Sequence, residues 1–82
     1  MKIEDYELLL KLNEIGTIRG TAKVILVSQP AVTQRLKYME DYFGEQIFIR
    51  TSKELLPTPS GEIILNYAKE IVDNEKKLKK LN

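Results

Sequence analysis

The chain has 82 residues, 43% of them hydrophobic and 30% charged, with a formal net charge of +1, enough for one domain with a modest core and too few for a second. Cysteine and histidine are both absent, which excludes a disulfide framework, structural zinc and Cys or His catalysis, so neither a cofactor nor a metal is expected in this domain. Met1 to Tyr6 is charged, and no apolar run approaches the ~18 residues needed to cross a bilayer, so a cytoplasmic location is expected.

The first helix is announced by Leu8, Leu9, Leu12 and Ile15 at helical spacing, with Asp5 able to cap it and Gly16 to stop it. Thr17 is a good cap for a second helix over about Ile18 to Leu26, in which Ile18, Ala22, Ile25 and Leu26 share one stripe. Gly20 inside it costs roughly 1 kcal/mol relative to alanine. Pro30 forces a turn near Val27-Ser28-Gln29 and can stand in the first turn of a third helix capped by Ser28. That helix, about residues 29–43, carries a core stripe of Val32, Leu36, Met39 and Phe43 and closes at Gly44. Ile47 to Arg50 and Leu55-Leu56 flank a polar turn, Thr51 to Glu54, and read as a short β-hairpin ended by Pro57. Thr58 followed by Pro59 is a strong helix start, and the final helix should run to about Leu81.

The expected fold is therefore mainly α with a small β-hairpin: a winged helix-turn-helix over residues 1–58, followed over 59–82 by a long linker helix. The helix-turn-helix lies at about 17–37 and the wing at about 46–57. In this arrangement the third helix can enter the major groove of double-stranded DNA.

Charge supports that use. Between Glu14 and Glu40 there is no acidic residue, while Arg19, Lys23, Arg35 and Lys37 are basic, and acids lie on either side. Away from its core stripe the third helix carries Pro30, Gln34, Lys37 and Asp41, flanked by Ala31, Thr33 and Tyr38. Gln29, Thr33 and Gln34 suit base edges, and Arg35 and Lys37 suit phosphates. Asp41, at the far end, fits a helix inserted by its beginning. The glutamines can equally be plain solubilising surface. At the hairpin tip Arg50, Thr51, Ser52 and Lys53 form either an ordinary polar turn or a phosphate contact; the basic pair favours contact.

In the last helix Ile64, Tyr67, Ile71, Asn74, Leu78 and Leu81 follow a 3-4-3-4-3 spacing, the seam of a coiled coil, with Asn74 as a register-setting residue. Ile64 and Tyr67 could instead pack on the domain's own core. Leu78 and Leu81 lie beyond it, so a homodimer on a dyad-symmetric site is expected.

The run Ser28-Gln29-Pro30-Ala31-Val32-Thr33-Gln34-Arg35-Leu36, with Ile47 to Thr51 and Leu56 to Gly61, resembles the N-terminal domain of LysR-type bacterial transcriptional regulators over nearly the whole chain. The resemblance implies a winged helix-turn-helix with a dimerising linker helix. It also implies a larger domain that binds a small-molecule effector and is absent from this sequence. Its motif carries over at Ser28, Gln29, Pro30, Thr33, Arg50 and Gly61, the first five near DNA. Two places depart from it. Gln34 precedes Arg35 where the family often has the reverse, which leaves open which of the two reaches a base. Arg19-Gly20-Thr21-Ala22 replaces a Thr-Arg-Ala-Ala run, which moves the arginine by one position. The match is also similar to a branch controlling carbon catabolism and citric-acid-cycle genes in low-GC Gram-positive bacteria.

Two other functions compete with DNA binding. A winged-helix protein-interaction module would bind without the salt dependence that phosphate contact imposes. An enzyme finds no support, because Ser28, Ser52 and Ser60 are the only serines and none is near a plausible base.

Overall fold

The computed structural model describes residues 1–81, so Asn82 of the expected 59–82 segment lies outside the described residues. The elements run α1 (Ile3–Ile15), α2 (Ile18–Ile25), α3 (Gln29–Phe43), β1 (Phe48–Arg50), β2 (Leu55–Pro57) and α4 (Pro59–Lys79). The two strands form an antiparallel hairpin in the register Phe48↔Pro57, Ile49↔Leu56, Arg50↔Leu55, which is the wing of a winged helix-turn-helix.

Caps fix most of these boundaries. Thr17 accepts a hydrogen bond from the Gly20 amide at 3.0 Å, Ser28 from Ala31 at 3.2 Å and Thr58 from Gly61 at 2.8 Å. Each satisfies a first-turn donor that has no partner within its own helix. Gly16 and Gly44 are the C-caps of α1 and α3. At the head of α1 the expectation needs correction. Asp5 is not the capping residue but the third helical one, and its Oδ2 reaches back 2.9 Å to the amide of Lys2. The helix begins earlier because Ile3 and Tyr6 have apolar surface to bury on the inner side of α4.

One core joins all elements. Leu8, Leu9 and Leu12 of α1 meet Ala22 of α2, Val32, Leu36 and Met39 of α3, and Ile47, Phe48 and Leu55 of the wing, with Ile64 and Leu65 of α4 closing it. Phe48 is the largest fully buried side chain, and burying one such group stabilises the fold by roughly 1.5 to 3 kcal/mol. A second cluster, Tyr6 with Ala68 and Val72, seals α1 against α4. Burial raises the pKa of Tyr6 above the ordinary tyrosine value, with the neighbouring Tyr67 and Tyr42 adding to the shift. The rings of Tyr6 and Tyr67 meet edge to face at 5.9 Å. The first half of α4 is thus part of the domain core.

Leu26 departs from the expected stripe. It is the C-cap of α2 in the left-handed region at φ 61° and is 89% exposed. The turn demanded by Pro30 arrives one residue too early for Leu26 to face inward, and its conformation carries a cost of about 1 to 2 kcal/mol for a side chain with a Cβ. Thr21, in contrast, is fully buried, its hydroxyl donating 2.8 Å to the carbonyl of Thr17 one turn back.

Gly20 has a packing reason. A Cβ there would lie 2.8 Å from both Cγ2 of Ile15 and Oγ1 of Thr17, so the cost of a glycine inside α2 is offset by a close approach to the end of α1.

Candidate nucleic-acid interface

Four unpaired cations converge where α2 faces the wing. A groove of about 520 Å³ is lined by Arg19 and Lys23 on one side and by Arg50 and Lys53 on the other, with Glu54 the only acid in its wall. None of these four forms an ion pair within the described residues. The N-terminal residues of α2, Ile18 to Gly20, line the same groove, which sets the positive end of the helix dipole there. Such a place is suited to a polyanion. Lys23 was not among the site residues expected from sequence; the acid-free stretch between Glu14 and Glu40 was the signal that could have included it.

The wing tip is shaped by Thr51. Its hydroxyl donates to the Glu54 carbonyl at 2.9 Å and accepts from the amides of Glu54 at 2.9 Å and Lys53 at 3.2 Å. Thr51 therefore builds the turn, while the exposed side chains of Arg50, Ser52 and Lys53 remain free to reach a ligand.

On α3, Pro30, Gln34 and Lys37 are exposed along one outward face, with Thr33 and Ala31 half-buried at its edges, and Gln29 is exposed at the helix start. Ser28 caps the helix, so its hydroxyl sits at the mouth of the face already engaged with Ala31. Lys37 is only loosely paired with Asp41, at 3.7 Å and with both side chains more than two-thirds exposed, a pairing worth little in water. Arg35 behaves differently. Its guanidinium turns back to α1 and lies 3.3 Å from Oδ1 of Asp5. Of the two residues whose roles were left open, Gln34 faces out and Arg35 does not.

The linker-helix residues divide into two sets. Ile64 is buried in the chain's own core and Ile71 is half-buried against the second cluster. Tyr67 is 50% exposed, Leu78 62% and Leu81 79%, and Asn74 is exposed as well. Ile63, absent from the expected seam, is 73% exposed. At about 100° per residue it falls in line with Tyr67, Asn74 and Leu78, whereas α4 ends at Lys79, short of the expected Leu81, which lies in the turn beyond it. The outward stripe thus starts one residue earlier than the spacing suggested, because Ile64 and Leu65 are taken up by the core.

No group of three or more His, Cys, Asp or Glu among the described residues is placed to hold a metal ion. No helix among them is long and apolar enough to cross a membrane.

Residues 3–62 match the family described as bacterial regulatory helix-turn-helix protein, lysR family. The chain is 34% identical over 79 residues to an uncharacterized HTH-type transcriptional regulator, YkuM, of Bacillus subtilis (strain 168), covering 96% of this chain and 27% of that protein. Among solved structures, full-length OxyR C199D from Pseudomonas aeruginosa superposes with a TM-score of 0.87 at 26% identity over 99% of this chain and 28% of that one. A CbnR_DBD–DNA complex gives a TM-score of 0.90 at 22% identity over 98% and 92%, a likeness of fold. The chain spans about a quarter of the length of the curated relatives it matches.

Proposed function

The chain belongs to the lysR family of bacterial regulatory helix-turn-helix proteins, and as the DNA-binding domain of a transcriptional regulator we propose that it reads duplex DNA by inserting the start of α3 into the major groove. Gln29 and Gln34 are the base-reading side chains, each able to pair bidentately with adenine. Arg19, Lys23, Arg50 and Lys53 grip the phosphates on the flank, assisted by Lys37 and Ser52. The observation that carries this reading is the convergence of four unpaired cations where α2 faces the wing, in a chain whose next helix, α3, opens with exposed, acid-free turns. The role is one of binding with no catalytic step, exercised in the cytoplasm. Residues 1–58 act as the winged helix-turn-helix and 59–82 as the linker. Any small-molecule effector belongs to a further domain of the regulator.

Selection of bound sites from a random duplex pool, followed by titration, tests the reading. Gln29→Ala should weaken the selected duplex by about 1 to 3 kcal/mol and leave a scrambled duplex nearly unaffected, whereas Lys53→Ala should weaken both alike. Equal losses on the two duplexes for Gln29→Ala would remove it from base reading. Affinity insensitive to added salt would remove DNA as the ligand.

We further propose that α4 pairs with α4 of a second copy along Ile63, Tyr67, Asn74 and Leu78, with Leu81 adding apolar surface just beyond the helix end, placing two recognition helices on a dyad-symmetric operator. Exposed apolar residues in line along a helix, with an Asn among them, support a helical partner. Sedimentation should find the parent chain dimeric and Leu78→Asp monomeric at the same concentration. A parent chain that stays monomeric at high concentration would sink the dimer.

A further inference from the structure

Asp5 and Arg35 stand 30 residues apart and meet where α1 crosses α3. Nη2 of Arg35 lies 3.3 Å from Oδ1 of Asp5 and donates at 3.5 Å to the carbonyl oxygen of Glu4. The second carboxylate oxygen of Asp5 accepts the amide of Lys2 at 2.9 Å. The carboxylate is thus held on both sides, and its side chain is only 14% exposed against 38% for Arg35. The other ion pairs join near neighbours in one helix and are more exposed. Among the described residues it is the one ion pair that ties the recognition helix to another element.

We infer that Asp5 is a specificity-determining residue: by holding Arg35 against α1 it keeps a cation of the recognition helix off the DNA backbone. The inference rests on α3 facing DNA as proposed above. Arg35 follows directly on Gln34, and its side chain is long enough to swing from the flank of α3 to the outward face. Freed there, an always-charged guanidinium would find phosphates on any sequence. Such a contact strengthens binding to all duplexes alike and carries no sequence information, so it lowers the ratio of specific to random affinity. Engaged by Asp5, it leaves discrimination to Gln29 and Gln34.

The test compares the parent chain with Asp5→Asn, Arg35→Gln and the double variant. Each is titrated with a duplex selected by the parent and with a scrambled duplex of equal length. Asparagine keeps an acceptor for the Lys2 amide while removing the charge that holds Arg35, and circular dichroism checks that helicity is retained. Asp5→Asn should bind the scrambled duplex more tightly than the parent. It should also lose about 3.5-fold more affinity between roughly 50 and 200 mM salt, the signature of one added phosphate contact. Arg35→Gln alone should leave the parent's salt slope unchanged, and the double variant should return to it. A parental slope for Asp5→Asn overturns the inference, as does a flatter slope for Arg35→Gln, which would put Arg35 on a phosphate already. In both cases the proposed DNA reading stands. A parent that fails to bind duplex, or binds without salt dependence, overturns both.

Discussion

Replacing Gly61 by alanine should cost this domain about 3 kcal/mol of stability or more, a large part of the ~5 to 15 kcal/mol that a small domain has. A Cβ at this position would fall inside van der Waals contact with the carbonyl oxygen of Ile47 and stand 2.9 Å from its carbon. That carbonyl cannot easily retreat, because it accepts the amide of Thr58 at 2.9 Å and the Thr58 hydroxyl at 3.3 Å. Relief requires α4 to lift from the start of the wing, opening Ile64 and Leu65 to water. Overpacking ordinarily costs 1 to 3 kcal/mol, and a clash with backbone falls at or beyond the upper end of about that range. Urea denaturation of Gly61→Ala against the exposed neighbour Glu62→Ala measures it. A loss under about 1 kcal/mol for Gly61→Ala would show that the helix start moves freely and that the close approach is not structural.

Gly61 illustrates what a single sequence reveals. Its place in the run Leu56-Pro57-Thr58-Pro59-Ser60-Gly61 is visible as part of a family resemblance, but nothing in the string of residues says that the carbonyl of Ile47 lies against it. Features set by neighbours in sequence were legible. The Thr17, Ser28 and Thr58 caps, the glycine stops and the stripe of Val32, Leu36 and Met39 all stand where local chemistry puts them. Features set by a distant partner were not. Tyr6 belongs to the core because α4 passes over it, and Ile64 leaves the expected seam for the same reason. Leu26 has the spacing of a buried residue yet is turned out by the reversal that begins at its own backbone. The candidate site divides in the same way. The basic and amide residues of the candidate site are legible in the sequence, whereas the ion pair between Arg35 and Asp5, thirty residues apart, is not.

Truncating Glu40 to alanine should lower stability by about 2 to 3 kcal/mol and loosen the wing ahead of the rest of the domain. From sequence Glu40 was one of the acids bounding the basic stretch. In the fold its Oε2 accepts the amide of Ile47 at 2.8 Å and that of Phe48 at 3.4 Å. The side chain of a recognition-helix residue thereby anchors the first residues of the wing, and its charge is engaged by two backbone donors on the side of α3 away from Gln34. Alanine leaves both amides without this acceptor in a partly buried place, and a charge-assisted bond costs more to lose than a neutral one. Glu40→Gln retains an acceptor of the same reach and should recover about half of the loss. Hydrogen exchange at Ile47 and Phe48 should quicken in Glu40→Ala before it does at the Leu8 and Leu9 amides of α1. The phosphate contacts proposed for Arg50 and Lys53 depend on where the wing stands relative to α3, so on that proposal the same variant should bind both selected and scrambled duplexes more weakly. Stability within about 0.5 kcal/mol of the parent, with unchanged exchange at Ile47, would show that Gly44 to Gln46 positions the wing without Glu40.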